Sequence, residues 1–456
     1  MNQTNTEMMK HKLFRTIAVG VLALLVCAAM AQAESPEGPI LFTNVNVFDG
    51  VSEKLIRNAN VVVTGNIITA VSTEDLAVAG GRVIDGGGRT LMPGLIDAHY
   101  HTMFAAIPLA TFLTAQEGYI NLVAAKNAEQ LLLQGFTTVR DVAGNSFSLR
   151  RAIEEGLSVG PRIFPSGSFI SQTSGHGDFR PYNAVPTEAT TPSVYTERNA
   201  HTRIADGVPE VLRAVRENLR MGATQIKMAA GGGVSSIYDP LDVTEYTFEE
   251  FKAAVDAAAS WNTYVMTHVF TDAGVKLAIS AGVKSIEHGL LMSEETLRMM
   301  KEKDVWLSIQ PILNDEDAIP FPDPVSQAKF VEATKGTEKV YPLARDIGVK
   351  MAFGTDALFD AELAKRGGKQ LAKLQRWFTP AQVLKMATHD NAQLLKLSGP
   401  RNPYQAGELG AVAEGAYADL ILVDGNPLEN LDLIADPANN FVVIMKDGKI
   451  YKNTLQ

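Results

Sequence analysis

The sequence is poor in cysteine. Its 456 residues include one cysteine, Cys27, which lies in a segment that we expect to be removed from the mature protein. We therefore expect no disulfide to stabilise the fold and no cysteine to act as a nucleophile or metal ligand. The sequence also lacks a basic excess, because 51 Asp and Glu residues outnumber 41 Lys and Arg residues. Nucleic acid needs a basic footprint, so it is excluded as a partner.

Long hydrophobic runs are missing except near the N-terminus. Basic residues at 10–15 precede an apolar run at 16–30, and an Ala-Gln-Ala stretch follows at 31–33. This order is typical of a cleavable secretory signal. The alternative is a membrane anchor, but the run is shorter than the ~20 residues that a span needs. We predict that 1–33 is a signal peptide, and that the mature protein is secreted or periplasmic with no stable membrane anchor.

Both ends of the remaining chain have the pattern of short β-strands separated by Asn, Asp and Gly. Such segments lie at 40–50, 58–72, 81–94, 417–426 and 441–453. We predict that 34–92 and 399–456 pair into one small β-sandwich domain.

The middle of the chain, 93–398, alternates candidate strands with amphipathic helical stretches. The candidate strands lie at 95–101, 137–142, 162–167, 225–230, 264–269, 285–289, 305–311 and 349–356. Eight alternating units indicate an α/β fold with a (β/α)8 TIM barrel. Two connections, 168–206 and 312–337, are too long for simple turns. Long loops at the carboxyl-terminal rim of a barrel usually act as lids or specificity loops.

Metal-ligating residue types recur at the ends of these candidate strands. We call them the strand-end residues: His99 and His101 on the first strand, Lys227 on the fourth, His268 on the fifth, His288 on the sixth and Asp356 on the eighth. Alternation along a strand puts the two first-strand histidines on one face. Imidazole and carboxylate are suitable ligands for zinc and similar divalent ions. The pattern therefore predicts a metal site at the barrel rim.

Lys227 allows two interpretations. Its apolar strand should bury it, and a buried lysine is almost never left unpaired. It could form a salt bridge with a rim carboxylate, and the strand pattern alone favours that interpretation. Alternatively, a desolvated lysine loses its proton more easily, and the neutral amine can add carbon dioxide. The resulting carbamate is an anion that can bridge two metal ions.

The motifs around these residues resemble the amidohydrolase superfamily in its binuclear-metal branch. They are GLIDAHYH (94–101), QIKMAAGGG (225–233), THV (267–269), EHG (287–289), GTDA (354–357) and the closing AYADLILVDGNP (416–427). The resemblance covers nearly the whole mature chain. The spacings look like those of amidohydrolases that cleave Xaa-Pro and other dipeptides, and of ochratoxinase-like amidases.

The resemblance implies a role for each strand-end residue. The first-strand histidines and Asp356 would hold one divalent ion, and the histidines of strands five and six would hold a second. Carbamylated Lys227 would bridge the two ions, for which we expect zinc. A metal-bridging hydroxide would attack the carbonyl, with Asp356 as general base and then general acid.

Four further residues are candidates for substrate binding. His176 lies in SGHGDFRPYN after the third strand, where the HGD resembles the dipeptidase subgroup; the resemblance implies that it polarises a carbonyl, and the alternative is a surface-loop histidine. Arg180 could pair a substrate carboxylate, although a local salt bridge is an equal alternative. Tyr238 follows the glycine run at 231–233 and could reach the substrate. Phe270 stands where many peptidase relatives have a tyrosine suited to binding a terminal carboxylate, so a more apolar substrate group is expected.

Several charged residues near the site have plainer interpretations. Asp97 is expected to support the ligands from behind, and Arg140 and Asp141 to form a buried pair. Glu287 should point away from the face that carries His288.

The sequence predicts a metal-dependent amidohydrolase acting on a small molecule or dipeptide: a dipeptide, an N-acyl amino acid or an ochratoxin-like amide. An esterase or lactonase could use the same binuclear site. A mononuclear deaminase would not need Lys227, and a non-catalytic binding protein would not need every ligand. The sequence leaves open whether the chain forms a homo-oligomer.

Overall fold

The structure is a computed structural model that describes residues 38–184, 194–315, 318, 321 and 323–455. The predicted signal peptide, with Cys27, lies outside the described residues. In the part of the chain that is described, no helix has the length and apolar character that crossing a membrane requires.

The strands follow one another along the chain as β1 (Ile40–Val47), β2 (Ile56–Thr64), β3 (Ile67–Ser72), β4 (Arg82–Asp85), β5 (Thr90–Pro93), β6 (Leu95–Tyr100), β7 (Phe136–Asp141), β8 (Arg162–Pro165), β9 (Phe169–Ser171), β10 (Thr202–Ile204), β11 (Ile226–Ala229), β12 (Val265–Thr271), β13 (Ser285–Leu291), β14 (Trp306–Ile309), β15 (Met351–Phe353), β16 (Leu420–Val423), β17 (Phe441–Lys446) and β18 (Lys449–Asn453).

The α-helices are α1 (Leu109–Thr114), α2 (Glu117–Leu133), α3 (Phe147–Glu154), α4 (Tyr195–Arg198), α5 (Val208–Met221), α6 (Phe248–Ala259), α7 (Asp272–Ala281), α8 (Glu294–Glu302), α9 (Pro324–Lys335), α10 (Thr337–Ile347), α11 (Gly367–Lys373), α12 (Pro380–Lys385), α13 (Asn391–Leu395), α14 (Asp432–Ala435) and α15 (Pro437–Asn440). A π-helical turn, Met386–Asp390, joins α12 to α13.

Both chain ends build one eight-stranded sheet with the order β18-β17-β16-β5-β1-β2-β3, and β4 pairs with β1. The returning C-terminal segment pairs antiparallel with β5, where Ile421 lies opposite Met92. Apolar side chains from both ends, including Phe42, Val61 and Leu420, are buried in one cluster. Each such side chain contributes about 1.5–3 kcal/mol by leaving water. A β-rich unit made from both termini is therefore confirmed.

The eight predicted barrel strands are all present, as β6–β8 and β11–β15. Within β6–β8 and within β11–β15 the neighbouring strands pair in parallel. The amide of Thr224 donates to the carbonyl of Pro165 at 2.8 Å between the two sets, and the amide of Asp356 donates to the carbonyl of His99 at 2.9 Å on the other side. The predicted (β/α)8 fold class is confirmed, while the predicted boundaries after residues 92 and 398 stay predictions.

The two long connections contain more structure than the sequence pattern indicated. The first carries β9, which pairs with β11, and β10, which pairs with β9. The second carries α9, whose N-terminus is capped by Asp323 accepting from the amide of Ser326 at 2.7 Å. The prolines of this segment suggested a loop, but Pro324 occupies the first turn of a helix, where its missing N–H costs nothing.

Candidate active site

A cavity of about 570 Å³ opens at the carboxyl ends of the barrel strands. All six strand-end residues line it, together with His176 and Phe270 from the predicted substrate group. Most of its remaining wall is apolar: Phe104, Pro108, Leu109, Phe169, Phe179, Val234, Ile237, Leu290, Ile312, Phe321, Phe330, Leu358 and Phe359. The sequence-predicted ligands thus share one concave site, which is where barrel enzymes place their chemistry.

The first group of ligands consists of His99, His101 and Asp356. One ligand atom from each lies within 4.8 Å of the others. The Asp356 carboxylate is 3.1 Å from Nε2 of His101 and 3.4 Å from Nε2 of His99. Nδ1 of His101 is buried without a hydrogen-bond partner in the described structure. The three side chains therefore converge on one small volume and fit a metal ion.

The second group lies beside the first. The rings of His268 and His288 are 4.6 Å apart, and the His288 ring is 4.9 Å from that of His99. Burial lowers the pKa of His101 to about 4 and that of His288 to about 3, and it lowers the pKa of His268 well below its ordinary value. These imidazoles are neutral at physiological pH, as metal ligation requires.

Lys227 reaches the cavity from β11 and is 2% exposed. Its amine forms no hydrogen bond and no ion pair with any residue that the structure describes, and it lies 5.6 Å from the centre of the Phe169 ring. Burial lowers its pKa to about 8. The salt-bridge interpretation of Lys227 therefore finds no partner in the described chain. The buried side chain thus presents an amine to the cavity without a partner among the described residues, and a group of this kind is a candidate for binding or chemistry.

Glu287 supports the first group from below, which corrects the prediction that it points away. Its carboxylate accepts from Nδ1 of His99 at 2.7 Å and pairs with the guanidinium of Arg140 at 2.8 Å, all three buried. Burial alone would raise the pKa of Glu287, but Arg140 and His99 hold it well below the usual range. The prediction failed because His288 has φ 74°, which breaks the alternation of side chains along β13. The bond to Nδ1 leaves Nε2 of His99 for a metal.

Two other acidic residues hold the segments that carry the ligands. Asp97 accepts from the amide of His99 at 2.9 Å and from Oγ1 of Thr355 at 2.6 Å, so it supports the ligands as expected. Asp141 accepts from the amide of Thr102 at 2.8 Å and from Oγ of Ser146 at 2.6 Å. Arg140 and Asp141 are both buried, as predicted, but Arg140 bonds to Glu287 and not to Asp141. The reason is that successive residues of β7 point to opposite faces.

His176 stands over the second group, with its ring stacked on that of His268 at 4.0 Å. Its Nδ1 is 2.7 Å from Oγ of Ser236, which in turn donates to Asp239 at 2.7 Å. A Cβ at Gly233 would lie 2.0 Å from the His176 ring, so only glycine fits there. The glycine run makes room for this histidine. Sequence reasoning missed Ser236 and Asp239, although both follow that run directly.

The structure separates the four predicted substrate residues. His176 and Phe270 line the cavity, and the Phe270 ring meets that of His268 at 5.0 Å. Arg180 and Tyr238 are not among the lining residues. Nε of Arg180 bonds to the Asp178 carboxylate at 2.7 Å, and the Tyr238 hydroxyl donates to the Arg180 carbonyl. These contacts hold the loop after β9, and a substrate role for Arg180 and Tyr238 stays a prediction.

A (β/α)8 barrel with neutral histidines, a buried lysine and an aspartate converging at its carboxyl-terminal rim defines a hydrolase class suited to divalent metal ions. The chain belongs to the amidohydrolase family, whose match covers residues 90–453. It is accordingly a hydrolase that acts on C–N bonds.

Known proteins of similar sequence and structure agree with this assignment. Ochratoxinase of Aspergillus niger is 33% identical over 419 residues, covering 87% of this chain and 83% of its own. The solved structure of a prolidase complexed with N-methylphosphonate-L-proline is 33% identical with a TM-score of 0.83, covering 91% of this chain and 100% of its own. A Xaa-Pro dipeptidase with methionine bound in its active site is 30% identical with a TM-score of 0.78, at the same coverage.

Proposed function

We propose that this chain is a secreted or periplasmic metal-dependent amidohydrolase that cleaves an amide bond in a small, largely apolar substrate. A dipeptide, an N-acyl amino acid and an ochratoxin-like amide are the substrate types that the relatives suggest. The observation that carries the proposal is the buried Lys227 side chain, whose amine has no partner among the described residues and which lines the same cavity as five histidines and Asp356.

A carbamate on Lys227 would explain that amine. The nitrogen would bond to the carbon of carbon dioxide and lose a proton, so that a carboxylate replaces an unpaired buried amine. With Asp356 it would give the site two anions among neutral imidazoles, a donor set suited to two divalent ions. Bound ions, for which we expect zinc, would act as Lewis acids and lower the pKa of water towards neutrality.

The chain's own residues would then handle protons and charge. Asp356 lies at the junction of the two ligand groups, where it can accept a proton from water and return it to the leaving amine. His176, linked to Asp239 through Ser236, can donate to the carbonyl oxygen as negative charge develops there. The aromatic wall would hold the flanking groups of the substrate and exclude water.

The test is a screen of the metal-loaded protein against dipeptides, N-acyl amino acids and ochratoxin-like amides, with metal content measured in parallel. We expect amide turnover and about two ions per chain, as a binuclear site implies. Ester or lactone turnover without amide turnover would replace the proposal with an esterase, and one ion with deamination would replace it with a deaminase. Sequencing the N-terminus of exported protein checks secretion, with cleavage expected after Ala33.

A further inference from the structure

The segment 232–239, which follows β11, carries the residues that hold His176. We call it the 232–239 turn. Oγ of Ser236 is 2.7 Å from Nδ1 of His176 and donates to the Asp239 carboxylate at 2.7 Å. An ionised carboxylate only accepts hydrogen bonds, so the Ser236 oxygen is left to accept the Nδ1 proton of His176. The place and orientation of the His176 ring therefore depend on the shape of this turn.

The turn has little backbone structure of its own. Its residues make no backbone–backbone hydrogen bond with any residue that the structure describes. The Asp239 carboxylate accepts from the amide of Gly233 at 2.6 Å. A Cβ at Gly232 would lie 2.0 Å from the carbonyl oxygen of Pro240, so the two ends of the turn are in contact. The carbonyls of such a turn need donors from elsewhere in the chain.

Lys329, on α9, supplies those donors. Its Nζ donates to the carbonyls of Gly233, Ser236 and Asp239 at 3.0, 2.9 and 2.8 Å. An ammonium group has three N–H donors, so all three are used within this one turn. The Lys329 side chain is buried, and its removal would leave three carbonyls without their donor. The turn is thus folded around the ammonium.

The same helix forms part of the cavity wall. Ser326, Phe330, Ala333 and Thr334 line the cavity. They are three or four residues apart along α9 and so share one helix face, on which Lys329 also lies. Lys329 is not among the described lining residues; its ammonium lies behind the wall, in the turn. The helix α9 therefore contacts both the substrate volume and the turn that holds His176.

We propose that Lys329 is a positioning residue for the reaction: by holding the 232–239 turn it keeps Ser236 and Asp239 beside His176, and so fixes the imidazole over the reacting carbonyl. The inference rests on the proposed amidase function and extends its machinery to a residue behind the cavity lining. Lys329 acts only through the turn. Its loss should therefore lower kcat and kcat/KM equally and leave KM nearly unchanged.

A double-mutant cycle separates this role from a general effect on packing. On the metal-loaded protein, with N-acetylphenylalanine as the probe, we expect Lys329→Met to lower kcat about tenfold, because a catalytic group is displaced. Ser236→Ala should lower it by a similar factor. The double variant should lose no more than either single variant, since both changes break one link. A loss near the product of the two factors, or a wild-type kcat in Lys329→Met, would overturn the proposal.

Lys446→Met is the matched control. Lys446 is another buried lysine, and its Nζ donates to the carbonyl of Gly160 at 2.8 Å, in the contact between barrel and terminal sheet. Its kcat should equal that of wild type, and an equal fall there would overturn the assignment to Lys329. Circular dichroism checks the fold of each variant. If Lys329→Met does not fold, Lys329→Gln, which keeps donors for two of the three carbonyls, replaces it and the same outcomes decide.

Histidine NMR tests the proposal without turnover. In zinc-loaded protein with isotope-labelled histidine, the Nδ1 proton of His176 should give a slowly exchanging signal, assigned by its absence in His176→Gln. Lys329→Met should broaden or remove this signal and Lys446→Met should keep it; an unchanged signal in Lys329→Met would overturn the proposal. If the wild-type protein cleaves no amide, the amidase proposal fails, while this signal still decides the role of Lys329.

Discussion

The floor and the wall of the cavity are built in opposite ways. The floor, made of the six strand-end residues, rises from rigid parallel strands, and its His99 is held from beneath by the buried Glu287–Arg140 pair. The wall comes from connecting segments and α9, and it consists mainly of aromatic rings with two carboxylates. Strand-based groups are positioned more precisely than loop-based ones. We therefore expect floor substitutions to abolish chemistry and wall substitutions to change what is accepted.

The largest effect should follow Lys227→Ala. Without the proposed bridge, metal content should fall and kcat should drop by at least about 100- to 1000-fold, the range seen when a main electrostatic group of an active site is removed. Metal analysis and steady-state kinetics measure both. The matched control is Lys446→Met, another buried lysine, which instead donates to the carbonyl of Gly160 in the contact between barrel and terminal sheet. That variant should keep its metal, and a Lys227→Ala enzyme with full metal and activity would contradict the bridge.

Glu287→Gln should have a smaller effect on the same floor. The imidazole of His99 would lose its anionic partner, and residues in that position usually change metal affinity by about 10- to 100-fold. Competition with a chelator measures the affinity. Because Arg140 would be left unbalanced, the folded fraction is checked by circular dichroism, and Arg140→Met with Glu287→Gln restores neutrality. An unchanged affinity in both variants would show that the pair is purely structural.

The residues of the floor could be predicted from the sequence. Alternation along each strand and the order of strands in a barrel determine which side chains lie together at the rim. His99, His101, Lys227, His268 and Asp356 all reach the rim from strands or strand ends that were predicted. Glu287 was missed because the positive φ of His288 overrides the period of two. The strand pattern of the sequence does not predict a positive φ at a histidine.

The wall was less predictable, since it depends on long-range placement of loops. Phe270 and His176 were identified through the family resemblance, from the position two residues beyond His268 and from the HGD motif after the third strand. Lys329 could not be identified: its helix α9 was expected to be a loop, and its carbonyl partners are about ninety residues away in the chain. Arg180 and Tyr238 were predicted as substrate-binding residues for the same reason: the sequence does not show which partners a loop residue bonds to in the folded chain.

Ser236→Ala should have an intermediate effect at the border between floor and wall. It removes the hydroxyl that links His176 to Asp239, while the ring keeps its stack on His268. We expect kcat to fall roughly tenfold, or about 1.4 kcal/mol of barrier, with little change in KM. Ser236→Thr keeps the hydroxyl and should restore most of the loss. Equal defects in the two variants would mean that packing, and not the link, matters.

The last effect should appear in stability and leave the chemistry itself aside, at Glu245 behind the wall. This carboxylate accepts from the amide of His176 at 2.7 Å and from Ser171 at 3.0 Å. Burial raises its pKa from 4.5 to about 8. Below about pH 4.5 the folded and unfolded chains are both protonated there, so the residue adds no pH dependence. Between about pH 4.5 and about pH 8 the unfolded chain releases the proton of Glu245 and the folded chain keeps it, so the free energy of unfolding falls as pH rises.

Glu245→Gln removes this titration while keeping the hydrogen-bonding shape. Urea unfolding between pH 5 and pH 8 should therefore show wild type losing stability relative to the variant, with a slope of at most about 1.4 kcal/mol per pH unit. The difference between the two proteins cancels titrations that they share, including Asp97 and Asp141, whose pKa values burial also raises. Parallel curves would mean that the two donors hold Glu245 ionised.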